Sequence, residues 1–136
     1  VKKTKKPRRK RVSRKAKRGV HHSVKCELPI NYRSGWELAY AKWLDACPSV
    51  LSYRYEPYAV GYVSNVRTGK LRKYYPDFEV TYTDGTKALI EVKPKKKMTL
   101  ARNVKKFAAA GAFCKKQGID FRVVTEVDLK ALGLLR

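Results

Sequence analysis

The stretch YYPDFEVTYTDGTKALIEVKPKKK, residues 74–97, decides how this chain is read. It holds two strand-like runs, rich in β-branched and aromatic residues, on either side of a TDG turn. Side chains alternate between the faces of a strand. Phe78, Val80 and Tyr82 therefore share one face of the first run, and Ala88, Ile90 and Val92 share one face of the second. A two-residue Asp84-Gly85 turn would set Phe78 against Glu91 and Tyr82 against Lys87, mixing apolar with charged partners. A three-residue loop, Thr83-Asp84-Gly85 with Gly85 left-handed, instead pairs Phe78 with Ile90 and Val80 with Ala88. One consistent buried face selects the second register.

The opposite face carries the chemistry. In this register Asp77 lies across from Glu91, with Cβ atoms about 5 Å apart, and Lys93 projects from the same side as Glu91. Two carboxylates so close repel unless a positive charge sits between them. A hard divalent cation such as Mg²⁺, with Mn²⁺ as its substitute, suits oxygen ligands and neutralises the pair. Lys93 would then contact a phosphate or the attacking water. The same residues also fit an ion-pair network on a solvated sheet face, in which Lys93 only balances Glu91. Arg72, Lys73, Tyr74 and Tyr75 precede these acids, and Lys95, Lys96 and Lys97 follow them. Carboxylates walled by cations are what a metal-dependent phosphodiesterase requires, with cations on the nucleic-acid backbone and carboxylates on the metal.

At 136 residues the chain is long enough for one core and short for two. Its 33 Lys and Arg against 11 Asp and Glu give a net charge of +22, which points to a polyanion, most simply nucleic acid, with an anionic membrane surface as the weaker reading. No apolar run approaches the roughly 18 residues of a spanning helix, and no signal peptide is evident, so a soluble intracellular protein without a membrane partner is expected. Cys26, Cys47 and Cys114 form no CxxC pair, which argues against a zinc ribbon or a disulfide framework. His21, His22 and Cys26 supply part of a metal-ligand set, with no fourth ligand evident.

Residues 1–18 hold twelve Lys or Arg and no acid, leaving 21 basic against 11 acidic residues in the remainder. Such a block cannot fold alone. Residues 1–20 are therefore read as a basic nucleic-acid-binding arm, with Lys2, Lys3, Arg8, Arg9, Lys10 and Arg11 among its DNA contacts, and residues 21–136 as the folded domain. The globular pattern begins at about Ser34. SGWELAYAKWLDAC has the stripe of an amphipathic helix that Pro48 ends. Strand-like runs follow at VLSYRYE, YAVGYV, LRKYYPDFEVTY and KALIEVK. Thr99 is expected to cap a second helix whose buried face is Leu100, Val104, Phe107, Gly111 and Cys114 and whose stop is Gly118. DFRVV reads as a last strand and TEVDLKALG as a short helix capped by Thr125. The element order predicts an α/β fold, a central mixed β-sheet flanked by helices.

PDF followed after a short hairpin by EVK resembles the PD-(D/E)xK nuclease superfamily, and YRSGWEL resembles the helix that carries an additional Glu in many of its members. The combination is most similar to the nuclease domain of TnsA-type transposon end-cleaving proteins and to small phage head-completion nucleases, over residues 32 to about 128. Phage junction-resolving endonucleases are similar in outline. The resemblance implies a restriction-endonuclease-like fold and an Mg²⁺-dependent endodeoxyribonuclease. By position it makes Asp77 and Glu91 metal ligands, the Val92 carbonyl a further ligand, and Lys93 the residue that aligns the nucleophile. Glu37 becomes the helix acid, touching the metal directly or through water, although Ser34 and Glu37 also satisfy the S-x-x-E capping box. Arg33, Arg72, Lys73, Lys95, Lys96 and Lys97 are the expected DNA contacts of the body, and Glu56 and Glu79 are read as solvated or paired outside the site. The chain stops at Arg136 without the second domain of the TnsA type, which favours a phage nuclease in the host cytoplasm or on the virion, with head or neck proteins as partners. The alternatives are a structural DNA-binding virion protein that keeps the fold without turnover, and a transposition or junction-resolving nuclease.

Overall fold

The computed structural model describes residues 18–136. In chain order its elements are strands β1 (Gly19–Ser23) and β2 (Cys26–Tyr32), helix α1 (Gly35–Ala46), and strands β3 (Val50–Tyr55), β4 (Val60–Asn65), β5 (Lys70–Tyr74), β6 (Phe78–Tyr82) and β7 (Lys87–Val92). A three-ten turn at Lys95–Lys97, helix α2 (Ala101–Gln117), strand β8 (Asp120–Val124) and helix α3 (Glu126–Ala131) complete it. The central sheet has the order β3-β6-β7-β8. Its first three strands are antiparallel neighbours, and β8 returns parallel to β7 by way of α2. The α/β architecture with a mixed central sheet is the one the element order predicts.

The hairpin β6–β7 adopts the three-residue-loop register, with Phe78 opposite Ile90 and Val80 opposite Ala88. Gly85 supplies the left-handed residue at φ 86°. Phe78, Val80, Ala88 and Ile90 are fully buried against Tyr40, Ala41 and Leu44 of α1. The other sheet face is covered as well, for Tyr58 donates to Glu79 at 2.7 Å and packs its ring at a tilt against Phe113 of α2. α2 also packs Phe107 and Ala110 against Val60, Tyr62 and Tyr74, which fastens the β4–β5 hairpin to the body.

Four expectations need correction. Regular structure starts before the globular pattern at about Ser34, because β1 and β2 precede it as a hairpin. Only Cys26 and Ile30 of β2 are buried, so that segment lacks the alternation by which a strand is recognised. The run LRKYYPDFEVTY is two strands in different sheets. Pro76, which has no N–H to give a ladder, stands at the break. Thr99 does not cap α2, whose N-cap position is Leu100 with no side-chain cap bond. The buried face of that helix holds Asn103, Ala110 and Cys114, while Leu100 and Val104 are exposed. The stop at Gly118 (φ 70°) and the Thr125 capping box, closed by Asp128, form as expected. Among the described residues no helix is long and apolar enough to cross a membrane. The arm residues Lys2, Lys3, Arg8, Arg9, Lys10 and Arg11 lie outside the described residues.

Candidate active site

The β6–β7 register, continued one step past the Phe78–Ile90 pair, sets Asp77 opposite Glu91 on the face turned away from α1. Both acids line a cleft of about 370 Å³ together with Glu37, Val92 and Lys93. Asp77 accepts a hydrogen bond from the Val92 N–H at 2.8 Å. Glu91 accepts one from the Tyr74 hydroxyl at 2.6 Å through Oε2, and its Oε1 lies 3.4 Å from Lys93 Nζ. Tyr74 reaches Glu91 because β5 ends there, before the chain turns through Pro76 into β6.

Glu37 enters from the first turn of α1. Its N–H donates to Ser34 Oγ at 3.2 Å, the first half of a capping box. The second half is displaced by one residue, because Glu37 Oε2 accepts from the Arg33 N–H at 2.9 Å. Its Oε1 accepts from the Tyr55 hydroxyl at 2.8 Å. Capping and cleft therefore use the same carboxylate: the backbone bond holds the side chain in place while the carboxylate lines the cavity.

Asp77 and Glu91 are 8% and 4% exposed, so each carries its charge almost without water. Burial, followed by repulsion from Glu91 and Glu37, raises the pKa of Asp77 well above the carboxylate range. Burial also raises that of Glu91, against the opposing pull of the Tyr74 hydrogen bond and Lys93. The pair is deficient in positive charge.

The other expected residues divide among distinct places. Arg33 and Lys73 line the same cleft, whereas Arg72 and Lys97 line a neighbouring groove that shares Lys93 with it. Lys96 stands in a separate depression beside Trp36, and Lys95 is exposed, with its N–H donated to Glu126 at 3.0 Å. Glu79 is paired as read, but in a buried setting, with Arg54 at 2.6 Å. Glu56, read as outside the site, lines the cleft: it pairs with Arg33 at 3.2 Å and, at a left-handed φ of 44°, donates its N–H to the Asp77 carbonyl at 2.8 Å. Sequence reasoning missed the roles of Tyr55 and Tyr74 as carboxylate partners and of Lys106 in the cleft wall. Among nine tyrosines nothing in the sequence marks those two, although Tyr74 adjoins the PDF motif. His21 pairs with Asp45 at 2.7 Å, and among the described residues no three His, Cys, Asp or Glu side chains form a ready-made metal cluster. All three cysteines are free.

A mixed central sheet flanked by helices, with two opposed acids and a lysine at the end of its central hairpin, has the architecture of the restriction-endonuclease-like fold class. The family model for the TnsA-like endonuclease N terminal matches residues 47–126. The head completion nuclease of Enterobacteria phage T4 is 32% identical over 126 residues, covering 76% of this chain and 83% of that protein. The chain belongs to the TnsA-like N-terminal endonuclease family. The matched segment includes Asp77, Glu91 and Lys93 and begins after Glu37.

Proposed function

We propose that the protein is a divalent-metal-dependent DNA endonuclease that hydrolyses phosphodiester bonds in phage head completion or a related DNA-processing step, in the host cytoplasm or on the virion. One observation carries this reading: two buried, opposed carboxylates whose ionisation is disfavoured stand beside a lysine in a strongly basic chain. The donor set fits a hard dication, since Asp77, Glu91 and the Val92 carbonyl offer oxygen atoms only, with Glu37 at the edge of the same cleft. Mg²⁺ or Mn²⁺ held there would supply Lewis acidity and an acidified water.

The protein's own groups do the rest. Tyr74 fixes Glu91 by Oε2 and leaves Oε1 toward Lys93. The Val92 N–H fixes Asp77 in the same way. Lys93 stabilises the negative charge that grows on the phosphate oxygens during attack, so it acts on rate more than on ground-state affinity. Glu37, held by the Arg33 N–H, orients the water from the α1 side. Lys73, which lines the cleft with the Arg33–Glu56 ion pair beside it, contacts the backbone of the scissile strand.

The test is incubation with plasmid and branched DNA in Mg²⁺, Mn²⁺ or EDTA. Cleavage with either metal and none in EDTA is expected. Binding without cleavage on every substrate would assign the chain a structural DNA-binding role in the virion instead.

A further inference from the structure

Beside the catalytic cleft lies a second groove of about 440 Å³, between the β4–β5 hairpin and the first half of α2. We propose that this groove is a phosphate-binding track that receives the nucleic-acid strand as it runs on from the scissile position. The proposal rests on the nuclease reading and extends it to the path of the substrate and to three α2 residues outside the motifs, Arg102, Lys105 and Lys106.

The groove is built by alternation on one side and helical spacing on the other. Val60 pairs with Tyr74 and Tyr62 with Arg72, so one face of the hairpin is apolar near its base and turns basic toward its tip. The apolar part packs on Phe107 and Ala110. The basic part faces Arg102, Lys105 and Lys106, which stand at i, i+3 and i+4 and so share one side of α2. Two bonds hold the walls together. Lys105 Nζ donates to the Ser64 carbonyl across the groove at 2.9 Å. The buried Asn103 donates to the Lys97 carbonyl at 2.8 Å, which fixes the three-ten turn so that Lys97 joins the wall.

Arg72, Lys93, Lys97, Arg102, Lys105 and Lys106 thus line one concavity, and among the described residues no carboxylate lines it. Lys93 is paired with Glu91, whereas the other five make no ion pair among the described residues; these like charges around one hollow repel one another, and an anion relieves that repulsion. Lys106 shows the strain, since burial and then the charge of Lys93 depress its pKa. Its ammonium lies 5.7 Å from the centre of the Tyr74 ring, whose hydroxyl binds Glu91. Lys93 and Lys106 line the groove and the catalytic cleft alike, which makes the two cavities continuous. The opposite rim of the cleft differs, because Glu56 there neutralises Arg33. A phosphodiester strand leaving the cleft therefore meets unpaired cations on the α2 side and an ion pair on the other.

The test uses the full chain carrying Asp77→Asn, in EDTA, with a fluorescent DNA duplex titrated at several salt concentrations. Each lost phosphate contact lowers the slope of log affinity against log salt by roughly 0.9 on a duplex. Arg102→Gln with Lys105→Gln should lower it by about 1.8, and Lys97→Gln alone by about 0.9. Lys115→Gln with Lys116→Gln, at the far end of the same helix, removes equal charge outside the groove and should leave the slope unchanged. Lys97 makes no side-chain bond that holds the walls, so its variant reads the groove even if loss of the Lys105–Ser64 bond loosens the hairpin. Equal slopes for the groove variants and the Lys115/Lys116 control overturn the proposal. A chain that shows the expected slopes but whose Asp77 form never cleaves keeps the groove and overturns the nuclease reading. One that cleaves while the slopes stay equal overturns the groove alone.

Discussion

Asp77 and Glu91 share one small volume with Glu37, and burial there raises the pKa of both. Because their native pKa values are raised, the folded protein binds more protons than the unfolded chain between the ordinary carboxylate range near pH 4 and the raised native values. Stability is therefore greatest below that window and declines as pH rises through it. Asp77→Asn keeps an acceptor for the Val92 N–H and removes the charge, so in EDTA its melting temperature should exceed that of the wild type at neutral pH and fall less with pH. A variant less stable than the wild type at pH 7 would contradict this. Glu37→Gln separates cap from site. The amide can accept from the Arg33 N–H and donate to Tyr55, so stability should stay within about 1 kcal/mol while cleavage drops at least tenfold; unchanged cleavage would reduce Glu37 to a cap. The acids and Lys93 were legible from their motif, because acids are scarce in this chain and alternation places them. The two tyrosines were not, because a hydroxyl partner is chosen by where β3 and β5 end, which only the folded sheet decides.

The β6–β7 hairpin is the element the sequence describes most completely, because its two apolar faces leave one loop length that agrees with both. Gly85 at φ 86° has nothing within 4 Å of an added Cβ, so a substitution there meets only backbone strain. Gly85→Ala should cost about 1 kcal/mol of stability with little change in DNA affinity, as read by chemical denaturation; a neutral effect would mean that the loop does not need the left-handed residue. α2 was legible in extent and not in orientation. Its apolar residues are spread around the helix. Contacts of Phe107 with Tyr74 and Phe121 select the Asn103–Ala110 side over the Leu100–Val104 side. That rotation is what turns Arg102, Lys105 and Lys106 toward the β4–β5 hairpin. The hairpin β1–β2 escaped notice because Val24 and Leu28 are exposed and no alternation marks it.

Over the whole sequence a net charge of +22 contrasts with a small acidic centre in the described residues, which favours a polyanionic partner. Twelve of the basic residues precede Gly19, where the first strand begins. Deleting residues 1–18 should weaken DNA binding and flatten its salt dependence while unfolding stays cooperative; an unchanged slope would show that the arm makes no phosphate contact. The charge and the class of partner it suggests are legible from composition, whereas the path of the strand over the body needs the folded arrangement of α2 and β5. Whether the opposed carboxylates form a divalent-cation site is decided by Mn²⁺ titration of wild type and Asp77→Asn, followed by calorimetry at pH 7 in two buffers of different ionisation enthalpy. The wild type should bind Mn²⁺ with release of protons, since ionisation of the pair is disfavoured without the cation, and Asp77→Asn should lose both the binding and the proton release. Equal Mn²⁺ affinity in the two proteins would contradict it.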